Sequence, residues 1–94
     1  MDFKKLHDSN PDKYFLKICE ELSELQTAIL HYCDGKIEYD SVVEEIADVS
    51  IQIEKLMRWL GDFNSKTYNM VFDQVNELEQ EKYKKLEEII EEMK

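Results

Sequence analysis

The stretch "EELSELQTAI" (residues 20–29) and the similar stretch "EEIADVSIQI" (residues 44–53) place glutamates beside regularly spaced apolar residues. Apolar residues recur there at steps of three and four, which is the period of an amphipathic helix. The 94-residue chain has only two glycines and one proline, which leaves little material for turns or strands. We therefore predict an all-α chain of three helices in a single domain, residues 1–94, that forms a helical bundle completed by oligomerisation.

The first helix has recognisable start and stop positions. Ser9 or Asn10 is the expected N-cap, and Pro11 is the expected first helical residue because its fixed φ suits that position. The helix should end near Asp34 and Gly35, since glycine commonly follows the last helical turn. Its predicted apolar stripe consists of Phe15, Ile18, Leu22, Leu25, Ile29 and Cys33.

Two further helices are predicted to follow. A capping box formed by Ser41 and Glu44 predicts the start of the second helix, and Gly61 predicts its end. The segment "DFNS" (residues 62–65) is expected to cap a third and longest helix that continues nearly to residue 94. The predicted apolar stripes are Val42, Ile46, Val49, Ile53, Leu56 and Leu60 in the second helix and Tyr68, Val71, Val75, Leu78, Leu86, Ile89 and Met93 in the third.

Charge and cysteine content narrow the classes of function. The formal net charge is −10 and the basic residues are scattered, which argues against a nucleic acid polymer as partner. Cys19 and Cys33 are expected about 21 Å apart in one helix, too far for an intrachain disulfide. The chain has neither the apolar run of a signal peptide nor the ~20 apolar residues of a membrane span. We therefore expect a cytoplasmic protein that does not enter a membrane.

Two acidic pairs border the apolar stripes of the first two helices. Glu21 and Glu24 lie on one flank of the first helix, and Glu45 and Asp48 lie at the edge of the second. Carboxylates gathered beside a buried surface repel one another, and a divalent cation removes that cost. All the ligands offered are oxygen atoms, which predicts Mg²⁺, or alternatively Mn²⁺, rather than Zn²⁺.

Other interpretations of the acidic pairs are open at this point. With 22 acidic residues in the chain, such pairs arise by chance, and Glu20 and Glu44 are expected to be ordinary solvated glutamates. A di-iron bundle needs Glu-x-x-His motifs, and neither His7 nor His31 stands in one. A non-catalytic helical module that oligomerises or binds a protein partner needs no metal ion.

Five residues are candidates for substrate contact. Lys82 interrupts the apolar stripe of the third helix, so its ammonium either extends to solvent or reaches the carboxylates or a bound phosphate. Lys85 is placed to assist it. Gln52 lies on the acidic flank of the second helix. His31 and Trp59 follow the acidic pairs along their helices, and each ring either stacks on a base or serves in packing.

These motifs resemble those of the MazG-like nucleotide pyrophosphohydrolases, the all-α NTP pyrophosphatase superfamily that includes the dimeric dUTPases. "EELSE" (residues 20–24) and "EIAD" (residues 45–48) match the E-E-x-x-E and E-x-x-D motifs of that family. "EKYKKL" (residues 81–86) resembles a basic-aromatic segment near the family's C-terminal end, with Lys85 where an arginine is more usual. The resemblance covers roughly residues 14–86.

The resemblance implies Mg²⁺-dependent hydrolysis of a nucleoside triphosphate to the monophosphate and pyrophosphate, in a house-cleaning role. Glu21, Glu24, Glu45 and Asp48 would hold the metal, and Glu21 or Glu24 would orient or deprotonate the attacking water. It also implies a homodimer or homotetramer, and the outward-facing Ile51 independently favours such an interface. A member that binds nucleotide or metal without turnover is a further alternative.

Overall fold

The structure, a computed structural model that describes residues 11–94, contains three α-helices and no β-strand in that range. The predicted all-α fold is confirmed. The expected N-caps Ser9 and Asn10 lie outside the described residues, as does His7. The helices are α1 (Pro11–Cys33), α2 (Tyr39–Phe63) and α3 (Tyr68–Met93).

A glycine ends α1, as predicted. Gly35 adopts the left-handed backbone conformation with φ of 73°. The amide of Lys36 donates to the carbonyl of His31 at 2.8 Å, and the amide of Gly35 donates to the carbonyl of Tyr32 at 3.0 Å. These two bonds form a Schellman turn, which satisfies carbonyls that the helix leaves unpaired. Glycine at position 35 therefore determines where α1 ends.

The predicted bounds of α2 are wrong at both ends. The helix begins at Tyr39, before the expected cap Ser41, and it continues past Gly61 to Phe63. Ser65 takes the left-handed position there, with φ of 58°, and the amide of Lys66 donates to the carbonyl of Gly61 at 2.7 Å. A serine thus fills the role that a glycine usually has at a helix end.

Gly61 is required for space rather than for an unusual backbone conformation. A β-carbon at this position would lie 2.7 Å from the backbone oxygen of Lys66 and 3.4 Å from a methyl group of Val71. A backbone oxygen cannot retreat without disturbing the turn that it belongs to. Gly61 therefore lets the chain fold back closely over the end of α2.

The start of α3 lies later than the predicted "DFNS" cap. Thr67 is the N-cap, and its hydroxyl accepts a hydrogen bond from the amide of Met70 at 3.2 Å. The threonine occupies the extended conformation that an N-cap requires. α3 has 26 residues against 23 in α1 and 25 in α2, so it is the longest helix, as predicted.

The chain divides into two compact units whose boundary falls between Trp59 and Leu60, inside α2. The first unit contains α1 and most of α2. The ring of Phe15, near the start of α1, meets the ring of Trp59 edge-on, with centroids 4.3 Å apart. This contact joins the start of one helix to the later part of the next, so α1 and α2 run antiparallel. The second unit contains the end of α2, the turn and α3.

Two polar side chains share the buried face of the first unit. The buried apolar residues of the described chain are Ile18, Ala28 and Val49, and the buried polar ones are Glu21 and Gln52. They lie at helical spacing on one face of α1 and one face of α2. This face is rotated from the predicted stripes toward the acidic flank, so Glu21 lies inside the contact rather than at its border.

The remaining apolar residues of the two stripes are exposed. Leu22 and Ile29 on α1 and Ile46 and Ile53 on α2 are each 44 to 50% exposed. Each directly follows a buried residue in the sequence, or in the case of Ile46 the half-buried Glu45. In an antiparallel pair of helices such positions fall on the same side of both helices. Ile51 is also exposed, as predicted. Unpartnered apolar surface of this extent is typical of a chain that associates with another protein surface.

We expect the purified protein to be a dimer or tetramer in solution, because only three apolar residues are buried among those whose burial the structure describes. Light scattering at micromolar concentration checks this. The substitution Ile53→Glu should yield a smaller species, since it puts a charge on the exposed apolar side of the α1–α2 pair. Ala47→Glu is the control, because the exposed Ala47 lies about 120° round α2 from Ile53, and it should leave the mass unchanged. A monomeric wild-type protein would contradict the expectation.

The substitution Gly61→Ala tests the close approach at the end of α2. Helix propensity alone predicts that alanine stabilises a helix by about 1 kcal/mol relative to glycine. The overlap with the oxygen of Lys66 instead predicts a loss of about 1–3 kcal/mol in the free energy of unfolding. Chemical denaturation distinguishes the two signs. Ser65→Gly should be neutral or stabilising by up to about 1 kcal/mol, because it removes the strain of a left-handed serine.

Candidate metal centre

Three carboxylates meet where α1 and α2 pack together. Carboxylate oxygens of Glu21, Glu24 and Glu45 all lie within 4.8 Å of one another. Glu21 and Glu24 are one helical turn apart on α1, and Glu45 approaches from α2. We call these three residues the acidic cluster. Three of the four predicted metal ligands are therefore brought together by the antiparallel packing.

The structure does not bring Asp48, the fourth predicted ligand, into this group. Asp48 lies one turn after Glu45 on α2, and its side chain is exposed. An aspartate is one methylene shorter than a glutamate, so the same flank position carries its oxygens less far toward α1. Its charge still acts on the cluster, because it contributes to raising the pKa of Glu45.

Two oxygens of the acidic cluster are buried without a hydrogen-bond partner among residues 11–94. They are Oε2 of Glu21, a residue only 6% exposed, and Oε2 of the half-buried Glu45. Leaving a buried polar atom unpaired costs about 1–3 kcal/mol, and more for a charged group. Hard divalent cations such as Mg²⁺ bind carboxylate oxygens. The residues present therefore fit a Mg²⁺ or Mn²⁺ site.

Burial and neighbouring negative charges both act on the carboxyl group of Glu45. Partial burial raises the pKa of Glu45 above its ordinary value, and the negative charges of Glu24, Asp48 and Glu21 raise it further, in that order. Each of these causes disfavours the ionised form. A bound cation would reverse the sign of the local field and favour ionisation.

A lysine outside the predicted site residues also belongs to this site. Nζ of Lys17 lies 3.0 Å from Oε1 of Glu21 and 3.9 Å from Oε2 of Glu20. The hydrogen bond and the attraction to Glu21 raise the pKa of Lys17. The pattern that reveals it is a lysine four residues before a buried glutamate, in "KICEE" (residues 17–21), because residues at i and i+4 share a helix face.

An open groove of about 290 Å³ adjoins the acidic cluster. Glu24 and Glu45 belong to both, and the predicted base-contacting residue His31 lines the groove and is half-buried. The volume lies near the lower end of the range for small-molecule sites, about 300–1,000 Å³. The other lining residues combine three hydroxyls with a small apolar surface: Ser23, Thr27, Ser41, Ala28 and Ile37.

Two predicted substrate residues on α2 have different environments. Gln52 is 6% exposed, and its Oε1 has no hydrogen-bond partner in the described part of the chain. Trp59 packs against Phe15. It follows Glu45 by fourteen residues on α2, which is about 21 Å along the helix axis, and it does not line the groove. Gln52 does not line the groove either, but it follows Glu45 by only seven residues, which is about 10.5 Å along the helix axis.

Lys82 and Lys85 lie on α3, and both side chains are exposed. The neighbouring stripe residues Leu78 and Leu86 are exposed as well, so Lys82 does not interrupt a buried surface within this chain. Contact of either lysine with a phosphate stays a prediction.

No protein-family model, curated protein or solved structure matches this chain. None of the helices in residues 11–94 combines the length and apolar character of a membrane span.

The pKa of Glu45 predicts a pH-dependent effect of the substitution Glu45→Gln. Because this pKa is higher in the folded chain than its ordinary value of 4.5, ionisation of Glu45 opposes folding, and its cost appears as the pH rises through the raised value. In a chelating buffer at neutral pH, Glu45→Gln should therefore melt at a higher temperature than the wild type. The difference should shrink as the pH falls below 4.5, because the carboxyl group of Glu45 then takes up a proton and, like glutamine, carries no charge.

The substitution Glu44→Gln is the matched control for that experiment. Glu44 is the adjacent residue on α2 and is exposed, so its replacement should leave the melting temperature nearly unchanged at both pH values. Equal effects of the two substitutions, or a lower melting temperature for Glu45→Gln at neutral pH, would contradict the repulsion described for Glu45.

Proposed function

We propose that this protein is a Mg²⁺-dependent nucleoside triphosphate pyrophosphohydrolase, which converts NTP or dNTP and water into NMP or dNMP and pyrophosphate. The observation that carries the proposal is the acidic cluster with its two buried, unpaired carboxylate oxygens. Repelling carboxylates are retained in a helix contact where apolar residues would stabilise the fold better. The resemblance of "EELSE" and "EIAD" to the MazG-like motifs gives the reaction class.

Glu21, Glu24 and Glu45 would hold the cation, with Asp48 beside them. When bound, Mg²⁺ neutralises the triphosphate and lowers the pKa of a coordinated water. Mn²⁺, which takes the same oxygen ligands, would serve in its place. A cation is also what permits a chain of net charge −10 to bind a polyanion.

Glu24 is the better placed of the two predicted catalytic residues to accept a proton from the attacking water. Its side chain is exposed and lines the groove, so water reaches it directly. Glu21 is buried and already holds the ammonium of Lys17, which suits a ligand and positioning role. We assign the general base to Glu24 on this basis.

The groove is the proposed site of the nucleoside. It starts at Glu24 and Glu45, so a nucleoside bound there directs its phosphates toward the acidic cluster. The hydroxyls that line it supply hydrogen bonds to sugar or base, and the ring of His31 supplies a stacking surface. Lys82 and Lys85 are proposed to contact the phosphates. We propose a cytoplasmic homodimer or homotetramer as the working form.

A panel of canonical and damaged nucleoside triphosphates, assayed for pyrophosphate release, tests the activity. We expect at least one substrate to be hydrolysed with Mg²⁺ and chelation to abolish the reaction. Replacing Glu21, Glu24 or Glu45 by glutamine should lower turnover by about a hundredfold or more, because each variant weakens the cation site or removes the base. Mg²⁺ should raise the melting temperature of the wild type more than that of these variants.

Glu20→Gln and Glu44→Gln are matched controls, because each removes a carboxylate next to a cluster residue while leaving the cluster intact. Both residues are exposed, and both variants should keep near-normal turnover. Equal losses in the control and cluster variants would contradict the assignment. Absence of hydrolysis across the panel, despite a stabilising effect of Mg²⁺, would indicate a protein that binds nucleotide or metal without turnover.

The exposed apolar surface favours a second candidate function, a non-catalytic helical module that binds a protein partner. Twenty large apolar residues in the described part of the chain are exposed, and contiguous apolar surface is typical of protein–protein interaction sites. This candidate predicts that substitutions in the acidic cluster leave partner binding unchanged and that Mg²⁺ has no effect on the melting temperature.

A further inference from the structure

The acidic cluster already holds one positive charge of its own. Nζ of Lys17 lies 3.0 Å from Oε1 of Glu21, one turn earlier on the same helix. The lysine side chain is 47% exposed, whereas that of Glu21 is 9% exposed. The ammonium is therefore accessible to solvent, whereas the carboxylate that it binds is buried.

Lys17 compensates only part of the negative charge. It engages Oε1 of Glu21, while Oε2 of the same carboxylate has no partner among residues 11–94. Glu24 and Glu45 contribute two more carboxylates to the cluster. A divalent cation neutralises three carboxylates better than one ammonium does. The ammonium of Lys17 and a divalent cation would repel each other if both bound the carboxylate of Glu21. Lys17 and a divalent cation are therefore competitors for Glu21.

We propose that Lys17 is an exchangeable counter-ion, which occupies Glu21 in the metal-free protein and, once a divalent cation takes that carboxylate, binds the phosphates of the substrate. This inference rests on the proposed function. Lysine is a common phosphate ligand that acts as a flexible point charge. A phosphate group drawn to the cation at Glu21 comes within the range of a side chain that starts one helical turn away.

If Lys17 exchanges between Glu21 and phosphate, removing its positive charge should change the affinities for metal ion and for triphosphate in opposite directions. If the ammonium competes with the cation, its removal strengthens the binding of a metal ion added alone. If the ammonium then binds phosphate, the same removal weakens the binding of a triphosphate. A lysine that merely stabilises α1 would lower the melting temperature without moving these two affinities in opposite directions.

Isothermal titration calorimetry of the full-length variant Lys17→Met tests both the competition with the metal ion and the contact with phosphate. In the absence of any phosphate compound, its dissociation constant for Mn²⁺ should be about five- to tenfold lower than that of the wild type, at the low end of coupling between two bound groups. With saturating Mn²⁺, its dissociation constant for inorganic triphosphate should be about ten- to hundredfold higher, as expected for loss of a charged hydrogen bond.

Two further variants keep the test decisive. Lys17→Arg retains the positive charge and should retain most of the wild-type affinity for both probes. Lys36→Met removes an exposed lysine from the turn after α1. It should leave both dissociation constants within about twofold, since Lys36 follows Glu24 by twelve residues, about 18 Å along the helix axis, and salt largely screens a charge at that distance. If Lys17→Met does not fold, Lys17→Gln takes its place in both titrations.

Unchanged or weaker Mn²⁺ binding by the charge-free variant would overturn the competition. Unchanged triphosphate affinity would overturn the phosphate contact, and with it the exchange. If the wild-type protein itself binds no Mn²⁺, the proposed metal site fails and the role of Lys17 fails with it. If the wild type binds Mn²⁺ and the variant behaves identically, only the role of Lys17 is refuted.

Discussion

Mutual repulsion among Glu21, Glu24 and Glu45 is the constraint on which the arrangement of α1 and α2 depends. The helices pack along this face with oxygens of three carboxylates within 4.8 Å of one another. Burial, together with the charges of these neighbours, raises the pKa of Glu45. Lys17 offsets part of the negative charge. A face built from apolar residues would stabilise the pair better, and on the proposed function the carboxylates are present there to hold a cation.

The helical character of the chain is predictable from the sequence because apolar spacing and the scarcity of glycine and proline are local properties. The end of α1 at Gly35 is predictable for the same reason: glycine adopts the left-handed backbone conformation that commonly follows a helix, and Gly35 has this conformation. The role of Gly61 is not local. It depends on the approach of the carbonyl of Lys66, which only the folded turn creates, and a serine at position 65 takes the left-handed conformation instead.

The acidic cluster is partly predictable, because helical projection of the sequence alone places Glu21 and Glu45 on the flanks of their apolar stripes. The exclusion of Asp48 from the group depends on side-chain length and on the register of α1 against α2, which no single-helix projection contains. Lys17 is detectable from its i,i+4 relation to Glu21, but its significance follows from the burial of that glutamate. Burial of this kind is a property of helix packing.

Anomalous diffraction from crystals grown with Mn²⁺ tests the central claim most directly, because it locates the ion without reference to activity. The account predicts a strong anomalous peak bonded to oxygens of Glu21, Glu24 and Glu45, with the formerly unpaired Oε2 atoms of Glu21 and Glu45 among the ligands. It also predicts that crystals of the Glu21→Gln variant show a weaker peak or none. Well-ordered wild-type crystals with no peak at these three residues, or with Mn²⁺ bound only elsewhere, would contradict it.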